Sequence, residues 1–295
     1  MNTLHNDELE KLWDIYSKKF GNDEYFAPIL NRGYMYSDVK ACDILVIGIN
    51  PSCRKGDGKL SYNSFLFSKA RDSYFNKFHN ILTTVDPLGK FSVDYIDLLN
   101  IRITEQKQLS NFFKSQYGME FVCEQLSISQ KIIESLKPKL ILVFNGLASN
   151  MFGVNAKPIG DEFNNVWLGY DFYEPEKYKC KIISGLKGSK ERINKDSVKE
   201  TNLIGVPVYF SKYLGRAKKS DITQIKEDIK EIIDNHIFFE NNEVREPFIN
   251  SVNKLNDITT RKMKAIKNQL YEDSARLRDV EKQLLLDINK HLSNK

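Results

Sequence analysis

The stretch Asp43-Ile44-Leu45-Val46-Ile47-Gly48-Ile49-Asn50-Pro51-Ser52 constrains the fold more than any other part of the chain. It is an apolar run of strand length, rich in β-branched residues, that ends in a cluster of turn formers. Such a run reads as a strand buried on both faces, which is the environment of a parallel sheet. In open α/β sheets the carboxyl ends of the strands are where ligands bind. Gly48 allows a close approach there, Pro51 stiffens the exit, and Asn50 stands at the mouth with an amide that can both donate and accept.

Further apolar runs begin near Tyr95, Lys139 and Val206, and they alternate with helical patterns around Phe75 to Leu82 and Glu120 to Leu136. That rhythm predicts an α/β sandwich with a mostly parallel central sheet. Leu9, Leu12, Trp13, Tyr16 and Phe20 fall at helical spacing, so residues 1–24 are expected to hold a helix packed on the main domain at 25–235. Residues 154–205 break the rhythm with aromatic and charged stretches such as Trp167 to Tyr173 and Cys180 to Gly185. This region is expected to be an inserted β-hairpin followed by a basic loop near Gly188 to Lys199. Asp221 to Asp234 carries Ile222, Ile225, Ile229, Ile232 and Ile233 on one side, the pattern of a closing amphipathic helix.

Four segments, in order, resemble the uracil-DNA glycosylase superfamily. Gly48-Ile49-Asn50-Pro51 is similar to the water-activating motif of its mismatch-specific members. Ser61 to Ser68 resembles the segment that stacks an aromatic on the extruded base, with Phe67 the best fit and Phe65 and Tyr62 as alternatives. Tyr95 to Thr104 resembles the strand whose terminal Asn, here Asn100, reads uracil, and Lys139 to Ala148 resembles the strand, Gly-turn and helix that follow. The similarity spans roughly Tyr25 to Asp234. It implies a three-layer α/β/α domain that hydrolyses the N-glycosidic bond of uracil or a modified base in DNA after flipping it out.

On that reading Asn50 orients a water, because an amide cannot deprotonate one near neutral pH, and relatives with Asp there would be faster. Gly48 and Ile49 line the base site beside Asn100, whose amide can pair with O4 and N3–H of uracil for about 1–3 kcal/mol. Stacking on Phe67 offsets part of the cost of flipping. The second family motif is altered. Typical members place His-Pro-Ser or Asn-Pro-Ser and then a wedge Leu after the last strand, whereas this chain has Phe210-Ser211-Lys212-Tyr213-Leu214-Gly215-Arg216. Leu214 matches the wedge, and Ser211, Lys212 and Tyr213 are the nearest candidates to stabilise the departing base. Loss of one donor of this type costs about 10²- to 10³-fold in rate. The alternative is a non-catalytic base sensor or scaffold that keeps the fold. Repair of ordinary DNA and defence against modified phage DNA both fit.

Between Lys177 and Lys219 twelve Lys or Arg face three acids, a local charge of +9 in a chain whose total is +5. Such a segment suits phosphate contact, with Lys187, Lys190, Arg216 and Lys218 as candidates and DNA as the expected partner. The four cysteines are scattered and form no Cys-x-x-Cys pair, so free thiols, no metal and no cofactor are expected. The paired cysteine spacing of the superfamily's iron–sulfur branches is missing. No apolar run approaches the roughly 18 residues of a membrane helix, and the polar start lacks a signal-peptide core, so no membrane association and a cytoplasmic location are expected.

Residues 242–295 have no Gly and only Pro247, which permits one or two long helices. Met263, Ile266, Leu270, Leu277, Val280 and Leu284 fall at 3/4 spacing, interrupted by Asp273 and Asp287, as in an imperfect heptad seam. That helix either packs on its own domain or joins two chains through 246–292 as a coiled coil.

Overall fold

The structure, a computed structural model, describes residues 2–53, 64–65, 73–154, 167–188, 191–194, 197–235 and 242–293. Its centre is a six-stranded sheet in the order β4-β2-β5-β8-β7-β6. The strands are β2 (Ile44–Gly48), β4 (Val93–Asp97), β5 (Leu140–Phe144), β6 (Tyr170–Tyr173), β7 (Lys181–Leu186) and β8 (Pro207–Ser211). The first four in the sheet run parallel, and β7 and β6 continue it antiparallel. A separate two-residue parallel ladder joins β1 (Tyr36–Ser37) to β3 (Ser64–Phe65).

The apolar runs are double-sided because both faces of the sheet are covered. Leu45, Ile47, Ile141, Val143 and Val208 point into one core, shared with α1 (Asn2–Lys19), α5 (Gln116–Leu136) and α6 (Gly146–Phe152). Ile44, Val46, Leu140, Leu142, Phe144 and Tyr209 point into the other, shared with α3 (Ser73–Val85) and α7 (Lys219–Asp234). The period-2 alternation of a strand thus divides each run between two cores, and a three-layer α/β/α arrangement follows. The expected stripe of the first helix is buried from Leu9 to Phe20, against Phe121 of α5. Two short helices, α2 (Phe26–Leu30) and α4 (Gln106–Phe112), close the same face.

The hairpin expected within 154–205 is β6 and β7, and it extends the central sheet because β7 pairs with β8. Part of the basic loop is structural. Arg192 is 2% exposed, with its guanidinium donating to the carbonyls of Leu168 and Val198, and Asn194 accepts a hydrogen bond from Ser127.

The C-terminal segment departs from a continuous seam. It forms α8 (Asn242–Lys267) and α9 (Tyr271–Ser293), which reverse through Asn268 to Leu270 with Gln269 at a φ of +58°. The helices are tied by Lys262 and Thr259 to the Glu281 carboxylate. The hairpin packs on its own chain: Phe248, Val252, Leu255 and Ile288 enter the core that holds α3 and α7, and Tyr173 of β6 donates to Asn289. Four residues of the expected seam, Met263, Ile266, Leu270 and Val280, are exposed instead. Among the described residues no helix is long and apolar enough to cross a membrane.

Candidate functional site

The four parallel strands follow the sheet order second, first, third, fourth, so the chain leaves β2 toward one side and β5 toward the other. A crevice opens outside the carboxyl ends at such a switch point. The residues that end these strands are Gly48-Ile49-Asn50, Asp97 to Asn100, Asn145 and Ser211-Lys212-Tyr213. Backbone pairing of β2 with β4 continues past the strands, since Leu98 N–H donates to Gly48 and Leu99 N–H to Ile49. Asn50 and Asn100 are thereby held at adjacent strand ends.

Asn50 is oriented by its surroundings. Its Nδ2 donates to the carbonyls of Pro51 at 2.9 Å, Ile103 at 2.6 Å and, more weakly, Ile101 at 3.3 Å. Only the NH₂ end of an amide can face three carbonyl oxygens, so Oδ1 points the other way as an acceptor. No partner for Oδ1 is found among the described residues.

Asn100 is 5% exposed. Its backbone is clamped on both sides, N–H to Gln125 Oε1 at 2.9 Å and C=O from Met35 N–H at 3.1 Å. Its side-chain amide makes no hydrogen bond among the described residues. Gln125, together with Ser129, whose hydroxyl donates to Leu98 at 2.8 Å, anchors the segment after β4 to α5. Sequence reasoning missed both, although a Gln and a Ser on the apolar stripe of α5 were the available signal.

Gly48 and Ile49, expected beside the base site, are both packed by side chains of their own chain. Ile49 is a core side chain at 6% exposure. At Gly48 the close approach is internal, since a Cβ there would lie 1.9 Å from Tyr95 Oη and 2.3 Å from Asp97 Oδ1. Tyr95 donates to Asp97 Oδ1 at 2.6 Å directly above the glycine.

Asp97 is a third residue that sequence reasoning missed, despite being a carboxylate inside an apolar strand. Burial raises its pKa to about 7, only partly countered by the Tyr95 hydroxyl. Tyr74 of α3 and Tyr95 are themselves pushed upward, by burial first and then by the nearby Asp97. The folded protein therefore keeps a proton that the unfolded chain releases above 3.8, so stability falls as pH rises from 3.8 to about 7 and levels off above it. We expect Asp97→Asn to remove that slope and to gain about 1–3 kcal/mol over the native chain at pH 8, a discounted reading of 1.36 kcal/mol per unit. Urea midpoints at pH 5 and pH 8 check it, and equal slopes for both proteins would refute it.

The turn after β8 buries Leu214 and exposes its neighbour Tyr213. Leu214, expected as the exposed wedge, is fully buried in the core that holds α3 and α7. Lys77 of α3 fixes the turn by donating to the carbonyls of Leu214 at 2.7 Å and Gly215 at 3.1 Å. Tyr213 is the exposed residue, at 44%, and its ring stacks on Tyr74 at 5.1 Å. The ring also lies against Gly215, where a Cβ would fall 2.1 Å from it. Ser211 closes β8 beside Phe144, and Lys212, Arg216 and Lys218 are exposed around the turn.

The basic segment does not gather in one place. Lys212, Arg216 and Lys218 stand at the carboxyl end of β8. Lys187 follows β7, which runs antiparallel beyond the start of β8, and so lies toward the opposite edge of the sheet, paired with Asp171. Lys179 and Lys181 pair with Asp228 and Glu174. Phe67 and Lys190 lie outside the described residues, as do Tyr62 and most of its segment. No cluster of three or more His, Cys, Asp or Glu that could hold a metal occurs among the described residues. In comparison with known proteins, no family model and no curated protein matches the chain.

Proposed function

We propose that this chain binds DNA at the carboxyl edge of its sheet and hydrolyses the N-glycosidic bond of uracil or a modified base. The observation that carries this reading is the Asn50 tether. An amide whose nitrogen is committed to backbone carbonyls presents a fixed acceptor, which is what orienting a water toward C1′ of a flipped nucleotide requires. Asn100, buried at the neighbouring strand end with its amide uncommitted among the described residues, suits the base edge. Tyr213 takes the DNA-contacting place that the sequence suggested for Leu214, flanked by Lys212, Arg216 and Lys218 for phosphates.

A non-catalytic base sensor on the same fold is favoured by one observation. The turn after β8 carries no His or Asn to meet charge on a departing base. The deciding experiment incubates the full chain with duplexes containing uracil, thymine mismatches and modified bases, and detects released base by mass spectrometry. Release that disappears in Asn50→Ala supports hydrolysis. Tight DNA binding without release of any base supports the sensor.

A further inference from the structure

The carboxyl group of Asp97 sits where three elements meet: Gly48 of β2 beneath it, Tyr95 of its own strand and Tyr74 of α3, on which Tyr213 of the turn after β8 stacks. Tyr95 and Tyr74 are the titratable groups that face it among the described residues, and no cation among them pairs with it. It lies one ladder step from the Gly48-Ile49-Asn50 exit, because Asp97 is the register partner of Gly48. Its exposure is intermediate, unlike that of the fully buried Glu134, which is consumed by Tyr170, Thr201 and Asn202.

We propose that Asp97 is the general acid of base release, the donor that replaces the missing His or Asn of the altered turn. The inference rests on the glycosidic reading above and deepens it. In the step, the C1′–N bond breaks and its electron pair passes to the base. The carboxylic proton of Asp97 moves to that base, and the water held by Asn50 Oδ1 adds to C1′ and loses its other proton to solvent. Asp97 then regains a proton from solvent, so the sum is base plus water-derived sugar hydroxyl. A carboxyl that stays protonated to about pH 7 is suited to this work. Donation to the base extends the substrate class to bases that leave poorly as anions, such as modified cytosines and purines.

The test is single-turnover release, on the full chain, of whichever base in the duplex panel is released fastest by the native protein, followed from pH 5.5 to 9. The native rate should fall as pH rises through neutrality. Asp97→Asn, isosteric with the protonated acid, should lower the rate about 10²-fold and abolish that limb. Tyr95→Phe removes the hydroxyl that favours the carboxylate and should move the limb to higher pH, a shift that a merely structural role would not produce. A native-like rate and profile in Asp97→Asn, with Asn50→Ala inactive, overturns the proposal and leaves the glycosidic reading standing. No release of any base by the native protein overturns both.

Discussion

A chain ending at Asn241 is expected to lose cooperative folding. The helical hairpin that follows contributes Phe248, Val252 and Ile288 at 0% exposure and Leu255 at 8% to the core beneath β7 and α7. Burying each such side chain is worth about 1.5–3 kcal/mol, so four together supply about 6–12 kcal/mol. A whole domain is stable by only about 5–15 kcal/mol. Removal would also strip Tyr173 of Asn289 and the Ser184 carbonyl of Asn256. Thermal melting and light scattering check this: the full chain should melt in one transition, and the shortened one should melt without a transition or aggregate. A truncated chain with an unchanged midpoint would make the hairpin a dispensable appendage.

Of the two arrangements that the heptad spacing left open, the structure has the one packed on its own chain, as a hairpin of two helices. Spacing reports which residues share a helical face, but not whether the helix continues. The reversal at Gln269 has no Gly or Pro to announce it, so the pattern runs through a turn. Phe248 and Val252 were the stronger signal, because they stand four apart and precede the exposed stripe. The parallel strands were legible because burial on both faces demands a continuous apolar run, and Asn50 because it interrupts such a run at its carboxyl end.

What could not be read locally was which side chains meet across elements. Asp97 gains its character from Gly48, Tyr74 and Tyr95, which lie on three different elements. Leu214 and Tyr213 are adjacent in sequence, and only the packing of the turn against Tyr74 and Lys77 decides which one faces outward. Net charge was similarly blind to place. Among the described residues the basic segment divides between ion pairs of Lys179, Lys181 and Lys187 and an exposed group, Lys212, Arg216 and Lys218, at the end of β8.

Asn50→Asp is expected to be the most damaging isosteric change at the strand ends, although a carboxylate is the better base and the sequence alone suggested a gain. The amide nitrogen donates to Pro51, Ile101 and Ile103, and of these the Pro51 carbonyl alone has a second donor among the described residues, Ile103 N–H. A carboxylate supplies no donor and places negative charge against three carbonyl dipoles. Unmet partly buried polar groups cost about 1–3 kcal/mol, and the uncompensated charge adds to it, so a loss on the order of 3 kcal/mol follows. On the proposed glycosidic reading base release should fall with it, because the side chain must turn away from the carbonyls and no longer presents the acceptor that reading assigns to it. Protonation restores one donor, so the variant should regain part of its stability at low pH, opposite in sign to the carboxylates that stabilise by accepting. Urea midpoints at pH 5 and pH 8 together with single-turnover release measure both effects. An Asn50→Asp protein as stable as the native chain and faster in release would mean that the tether does not set the role proposed for Asn50.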